Sequence, residues 1–328
     1  MAAARRALVT GAAGFVGRYL VRALVQGGWQ VTATRAAEVS NGAPEGDGAL
    51  AAATWIVGDV RDPAHLAAAV DAARPDFVAH LAGVSFVPDA ERDPGAAVDV
   101  NVAGAARLLG AVRARRRAGV LDPVVLVVGS GEEYGRHDAA DLPLAESAEL
   151  RPHTPYAATK VAQEAVALEA WRSDGVRVVA TRSFNHSGPG QNGRFLVPAT
   201  VRRARALRGA APGAPRVLQM GNQTTVRDFL HVEDVVAAYI ALAERGRAGE
   251  VYNVASGVGR SVGDVARQVL ARMGVAAEIA SDPALVRPAD VPALVGSPAK
   301  LAAHTGWAPR RTFEQLLDDV IAAPDAPA

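Results

Sequence analysis

The sequence predicts an α/β protein, a doubly wound parallel sheet with a smaller C-terminal lobe. Short β-rich apolar runs alternate with helical stretches through the first half of the chain, and a glycine-rich turn follows the first run. After about Asn185 this rhythm breaks into loops. Such alternation sets strands side by side in parallel and packs helices on both faces.

The strand-like runs are Ala7 to Thr10, Gln30 to Thr34, Thr54 to Val57, Phe77 to His80, Val124 to Val128 and Val176 to Thr181. Helical patterns fill Tyr19 to Gln26, Leu66 to Ala73, Ala96 to Ala118 and Tyr156 to Trp171. Asn41 to Gly48 is polar and Gly-rich, which predicts a loop. Beyond the loops at Gly188 to Gly193 and Gly209 to Pro215, Asp234 to Ala243 reads as a helix and Glu250 to Val254 as a strand rejoining the first sheet. Ser261 to Met273 and Thr312 to Ile321 read as helices of the second lobe, and Ala322 to Ala328 as a frayed tail. The expected domains are residues 1–184 with about 224–256 for the nucleotide-binding part, and 185–223 with about 257–328 for the substrate lobe.

A chain of 328 residues, half of them hydrophobic, can bury a large core. A formal net charge of +1 gives no field for gathering nucleic acid or an anionic membrane. The absence of cysteine excludes disulfides, thiolate catalysis and Cys-based metal sites, and the seven histidines show no metal-ligand spacing. Met1 to Arg6 leads straight into a short apolar run, too short for a signal peptide or a membrane span, so the expectation is a soluble cytoplasmic protein with no metal.

The first strand feeds Thr10-Gly11-Ala12-Ala13-Gly14-Phe15-Val16-Gly17, and a helix follows at once. Glycines at this spacing allow a tight turn and close approach of backbone to a pyrophosphate, while the helix N-terminus offers unpaired N–H groups. Gly11, Gly14, Phe15, Val16 and Gly17 are therefore candidate dinucleotide contacts. Where an acidic residue would hold the 2′-hydroxyl of NAD, the second strand ends in Thr34-Arg35. Arg35 either accepts the 2′-phosphate of NADP(H), the favoured reading, or stacks on the adenine of either cofactor, which leaves NAD(H) open. Asp59 and Val60, after the third strand, meet the adenine, unless Asp59 serves as a helix cap with Arg61 and Asp62. Leu81, Ala82 and Gly83 run past the cofactor ribose.

Only Lys160 and Lys300 among the 35 Lys and Arg residues are lysine. Lys160 stands four residues after Tyr156, one helical turn away on the same face, where its ammonium can favour ionisation of the phenol. A planar guanidinium could not act as a compact, desolvated charge there. Ser130, in Gly129-Ser130-Gly131-Glu132-Glu133-Tyr134-Gly135 after the fifth strand, falls at the carboxyl edge of the sheet, within reach of a substrate oxygen. Ser130, Tyr156 and Lys160 form the candidate proton-transfer trio. Glu132 either exchanges a proton at a carbon beside a ketone or orients its neighbours; Glu133 and Tyr134 read as loop and packing residues. Ser85 either touches a hexose or caps a loop.

These residues resemble the extended short-chain dehydrogenase/reductase family, in its sugar-nucleotide-modifying epimerase/dehydratase branch, over almost the whole chain. Ser183 to Gln191, Gly221-Asn222, Arg227-Asp228-Phe229, Arg287 to Pro292, Gly296 to Lys300 and Gly306-Trp307 extend the resemblance. It implies a Rossmann-type fold and NADPH-dependent reduction of the C4 ketone of a 4-keto-6-deoxyhexose nucleotide, GDP-4-keto-6-deoxy-D-mannose to GDP-D-rhamnose. The alternatives it leaves are a 4,6-dehydratase of the GDP-mannose type and a C4 epimerase. It assigns catalysis to Ser130, Tyr156 and Lys160, and nucleotide-diphosphate and ribose contacts to Asn185, Arg227, Arg287 and Asp290. Phe195 to Pro198, with Val197, fall beside the base. It also implies a homodimer through the helices Ala96 to Ala118 and Tyr156 to Trp171. Gln223 to Val226 departs from the family's usual Leu-Asp-Ala-rich stretch, which leaves dTDP-, CDP- and UDP-sugars open as substrates.

Overall fold

A computed structural model describes residues 4–37, 47–211, 215–286 and 291–325. Six strands, β1 (Arg6–Thr10), β2 (Gln30–Arg35), β3 (Thr54–Val57), β4 (Phe77–His80), β5 (Val124–Ser130) and β6 (Arg177–Ser183), join Val251–Val254 in one sheet. Every neighbouring pair is parallel. The order across the sheet is Val251–Val254, β6, β5, β4, β1, β2, β3. The chain thus winds outward from β1 to β3, then crosses back to β4 and winds the other way. Helices that leave β1 and β4 on opposite faces open a crevice between the carboxyl ends of those two strands.

Period-2 alternation divides each central strand between two cores. Val9 and Leu126 pack with Leu20, Leu24, Tyr239 and Leu242 from the helices Phe15–Gln26 and Val232–Arg245. Leu8 and Val125 pack on the other face with Leu66, Leu108, Val112 and Ala167 from Pro63–Ala73, Gly104–Arg117 and Pro155–Asp174. A third core, around Val197, Val201, Phe229, Leu270 and Leu316, belongs to the helices Leu196–Arg208, Val262–Arg272 and Phe313–Ala322. Beside it, Val226–His231 pairs with Asn185–Ser187, Gly259–Ser261 and Ala293–Leu294.

Local chemistry places the helix starts. Asp62 accepts from the Ala64 N–H ahead of Pro63–Ala73, and Thr154 accepts from Ala157 N–H ahead of Pro155–Asp174; both helices carry Pro in the first turn. The stretch expected as one helix from Ala96 to Ala118 starts at Pro94 and contains a π-helical turn, Asp99–Ala103. The buried Asn101 side chain sits in that turn, accepting from Val84 N–H at 2.8 Å and donating to Thr159 Oγ1 at 2.9 Å. A side chain that must bond two other elements locally widens the helix. Pro94–Arg117 is long and apolar enough to cross a membrane, but Leu108, Leu109 and Val112 here pack against the sheet and two neighbouring helices. Of the Gly-rich loop expected at Asn41 to Gly48, residues 41–46 lie outside the described residues, and Asp47 caps a short helix, Gly48–Ala51. Residues 212–214 of the later loop and 326–328 of the tail also lie outside the described residues.

Candidate active site

The crevice is a cavity of about 990 Å³ that begins at the β1 turn. Gly11 has φ +67°, and a Cβ there would stand 2.6 Å from Ala82 N; a Cβ on Gly17 would stand 2.4 Å from Gly11 O. Only glycine fits either position, so loop, helix and β4 come together more closely than side chains would allow. The helix Phe15–Gln26 starts at Gly14 with no side-chain cap, leaving its first N–H groups for an anion. Gly11, Gly14, Phe15, Val16 and Gly17 all line the cavity, as do Arg35, Asp59, Val60, Leu81, Ala82 and Gly83. This glycine cradle, with a guanidinium at the end of β2, fits a phosphorylated dinucleotide. Asp59 does not cap the next helix, because Asp62 does; it instead accepts from the backbone N–H of Arg61 (2.8 Å) and its guanidinium (2.9 Å).

Ser130 ends β5, and Tyr156 and Lys160 occupy the first turns of Pro155–Asp174; all three line the cavity. The Tyr156 hydroxyl and the Ser130 side chain meet in the cavity. Burial, followed by the charges of Glu132, Glu133 and Tyr239, pushes the phenol pKa up, and the Ser130 side chain opposes this. Lys160 Nζ donates to the Val128 carbonyl (2.9 Å) and to Gln163 Oε1 (2.8 Å). Burial pulls the ammonium down to about 8, with Glu133 opposing. At neutral pH the phenol is protonated and can donate a proton.

Glu132 is half-buried and lines the cavity between Ser130 and the second lobe; Ser85, Asn185 and Arg227 line it as well. The Arg227 guanidinium donates from Nη1 to the carbonyls of Val226 (2.9 Å) and Val291 (2.8 Å). Val197 does not line the cavity: it is 1% exposed and packs in the second-lobe core, while its neighbours Leu196 and Ala199 face the cavity. The helical period explains the error, since one residue's shift turns a side chain by about 100°. Arg287 and Asp290 lie outside the described residues.

Several residues of the site escaped the sequence reading. Arg194 pairs with Asp89 at 2.9 Å and lies over the Phe86 ring at 4.4 Å, and Phe86 meets Phe195 edge-on at 5.6 Å. This cluster joins the two lobes across the cavity mouth. Tyr134 packs as expected, against Phe184, but Glu133 and Tyr134 are both 0% exposed, and Arg182 lies 3.7 Å from the Glu133 carboxylate and donates to Tyr134 Oη at 3.0 Å. An unusual acidic doublet after the serine was the one available signal.

A parallel sheet that places a dinucleotide cradle beside a buried Ser, Tyr and Lys is the architecture of the extended short-chain dehydrogenases/reductases, and fold and site put the chain in that class. Comparison with known proteins narrows it: the profile of the GDP-mannose 4,6 dehydratase family matches residues 8–320, and the chain belongs to that family. It is 38% identical over 248 residues to GDP-6-deoxy-D-mannose reductase from Pseudomonas aeruginosa, across 75% of this chain and 79% of that protein. The structure of RMD from Pseudomonas aeruginosa complexed with NADPH is similar with a TM-score of 0.77 and 32% identity, covering 97% of this chain and 98% of that one. UDP-glucose 4-epimerase of Thermus thermophilus in complex with NAD gives a TM-score of 0.80 at 29% identity, covering 96% and 97%.

The cradle makes a direct prediction. Gly17→Ala must displace the Gly11 carbonyl, so NADPH binding, followed by cofactor fluorescence, should weaken about tenfold or more while the circular dichroism spectrum is retained.

Proposed function

We propose that the protein reduces the C4 ketone of a 4-keto-6-deoxyhexose nucleotide, GDP-4-keto-6-deoxy-D-mannose to GDP-D-rhamnose, with NADPH. The observation that carries this reading is the convergence of the glycine cradle, Arg35 and the Ser130–Tyr156–Lys160 trio on one cavity. Likeness to a GDP-6-deoxy-D-mannose reductase and to a structure complexed with NADPH supports it. A nicotinamide dinucleotide held by Gly11, Gly14, Gly17 and Arg35 supplies the hydride when bound. The protein's own part is the proton. The raised pKa of Tyr156 keeps its hydroxyl protonated, ready to donate to the ketone oxygen as negative charge develops there, and Ser130 orients the donor. Arg227, anchored to two carbonyls, presents a guanidinium to the diphosphate.

A second reading, a 4,6-dehydratase, is favoured by one residue. Glu132 lines the cavity next to Ser130, where a carboxylate can take a proton from the carbon beside a ketone. Two incubations separate the readings. NADPH oxidation with 4-keto-6-deoxy sugar nucleotides, the C4 configuration of the product being read by NMR, is expected for the reductase. Accumulation of a 4-keto-6-deoxy product from GDP-mannose without added cofactor would establish the dehydratase instead.

Tyr156→Phe removes the donated proton and should lower kcat about 100- to 10,000-fold with little change in NADPH affinity. Undiminished turnover would remove the catalytic assignment.

The homodimer is proposed through the helices Pro94–Arg117 and Pro155–Asp174. Val98 and Trp171 on these helices are 49% and 37% exposed, large apolar side chains that a partner would cover. Sedimentation at micromolar concentration should show a dimer; a single monomeric species refutes it.

A further inference from the structure

Beneath the trio lie charged groups that the proposed reaction does not consume. Glu133 is 0% exposed. Its Oε1 accepts from the Ser130 N–H at 2.7 Å, and a Cβ on Gly129 would stand 2.3 Å from that oxygen. Oε2 makes no hydrogen bond among the described residues and lies 3.7 Å from Arg182 Nε. Arg182 is already engaged, gripping Glu164 with Nε at 2.9 Å and a terminal nitrogen at 2.7 Å. Lys160, for its part, bonds only the neutral acceptors Val128 O and Gln163 Oε1 among the described residues. Two carboxylates and two cations are thus enclosed together, and once Arg182 and Glu164 are matched, Glu133 and Lys160 remain. A carboxylate kept in such a place without a compensating cation is strongly unfavourable.

We propose that Glu133 is a positioning residue of this active site, its buried carboxylate fixing Ser130 through the backbone N–H and serving as the electrostatic partner of Lys160. The proposal rests on the catalytic reading of Ser130, Tyr156 and Lys160. Burial and then the Glu164 charge push the Glu133 carboxyl up to about 8, opposed by the Ser130 N–H, Arg182 and Lys160. Burial brings Lys160 down to about 8, with Glu133 opposing. Two interacting groups in one pH window titrate as a pair. The other ionisable groups facing them are Glu132 and Tyr134 in the same turn, Tyr156 and Glu164 on Pro155–Asp174, Tyr239 on Val232–Arg245, and His80 on β4. Burial keeps His80 neutral, its pKa lowered to about 3.

The scarcity of lysine makes the test direct. Side-chain NMR of lysine-labelled protein shows two residues, Lys160 and Lys300, and Lys300→Arg assigns them. Glu133→Gln keeps an acceptor for the Ser130 N–H but removes the charge. An ammonium that loses a neighbouring anion deprotonates more readily, so the Lys160 midpoint should fall by about one pH unit. The alkaline limb of kcat/KM for ketone reduction should move the same way, with the melting temperature nearly unchanged. A midpoint and limb equal to the parent protein's overturn the proposal, whatever happens to kcat. If the glutamine variant does not fold, Glu133→Asp draws the charge back by one methylene: a smaller downward shift supports the pairing, and none overturns it. Inactive Tyr156→Phe together with an unmoved Lys160 midpoint in Glu133→Gln would sink the role of Glu133 alone. Fully active Tyr156→Phe would sink the catalytic reading, while the midpoint still decides the pairing.

Discussion

Burying a phenol and an ammonium on neighbouring turns of one helix is unfavourable unless other groups take up their hydrogen bonds and charge, and this compensation organises the region from Val128 to Arg182. Lys160 is held by the end of β5 and by its own helix, Ser130 is held by Glu133, and Glu164 neutralises Arg182 on β6. The helix Pro155–Asp174 packs against both strands, so the site is fixed by main-chain architecture rather than by loops. Rigid placement of this kind is what proton transfer to a bound ketone requires.

The sheet order determines where this chemistry happens. Reversal of winding between β1 and β4 opens the crevice, the glycine turn after β1 forms one wall, and β5 delivers Ser130 to the same edge. The second lobe closes the far side through Asn185, Arg227 and the Arg194 cluster. A long cavity that is glycine-lined at one end and arginine-bearing at both suits two phosphorylated molecules laid end to end.

Legibility in the sequence followed the range of the interactions involved. Thr54–Val57 and Phe77–His80 were readable to the residue because short apolar runs between polar turns admit little else. The glycines of the β1 turn and the Tyr156–Lys160 spacing were readable because each is a local geometric demand. Val197 was misplaced because neighbouring positions on a helix point in different directions, and only the packing of Leu196–Arg208 against Phe229 and Leu270 sets its rotation. The π-helical turn at Asp99–Ala103 could not be read from periodicity, since Asn101 bonds Val84 and Thr159, one of them far along the chain.

The sequence by itself determined the strand and helix alternation, the glycine turn after β1, and the places of Arg35, Ser130, Tyr156 and Lys160 at strand ends and on one helix face, because these depend on neighbours within a turn or a strand. Tertiary structure alone decided the burial of Tyr156, the partners of Lys160, and the burial of Glu133 against Arg182. Desolvation and charge pairing depend on which distant segments enclose a group. No spacing along the chain reports what surrounds a side chain once β5, β6 and the helix Pro155–Asp174 have closed on it.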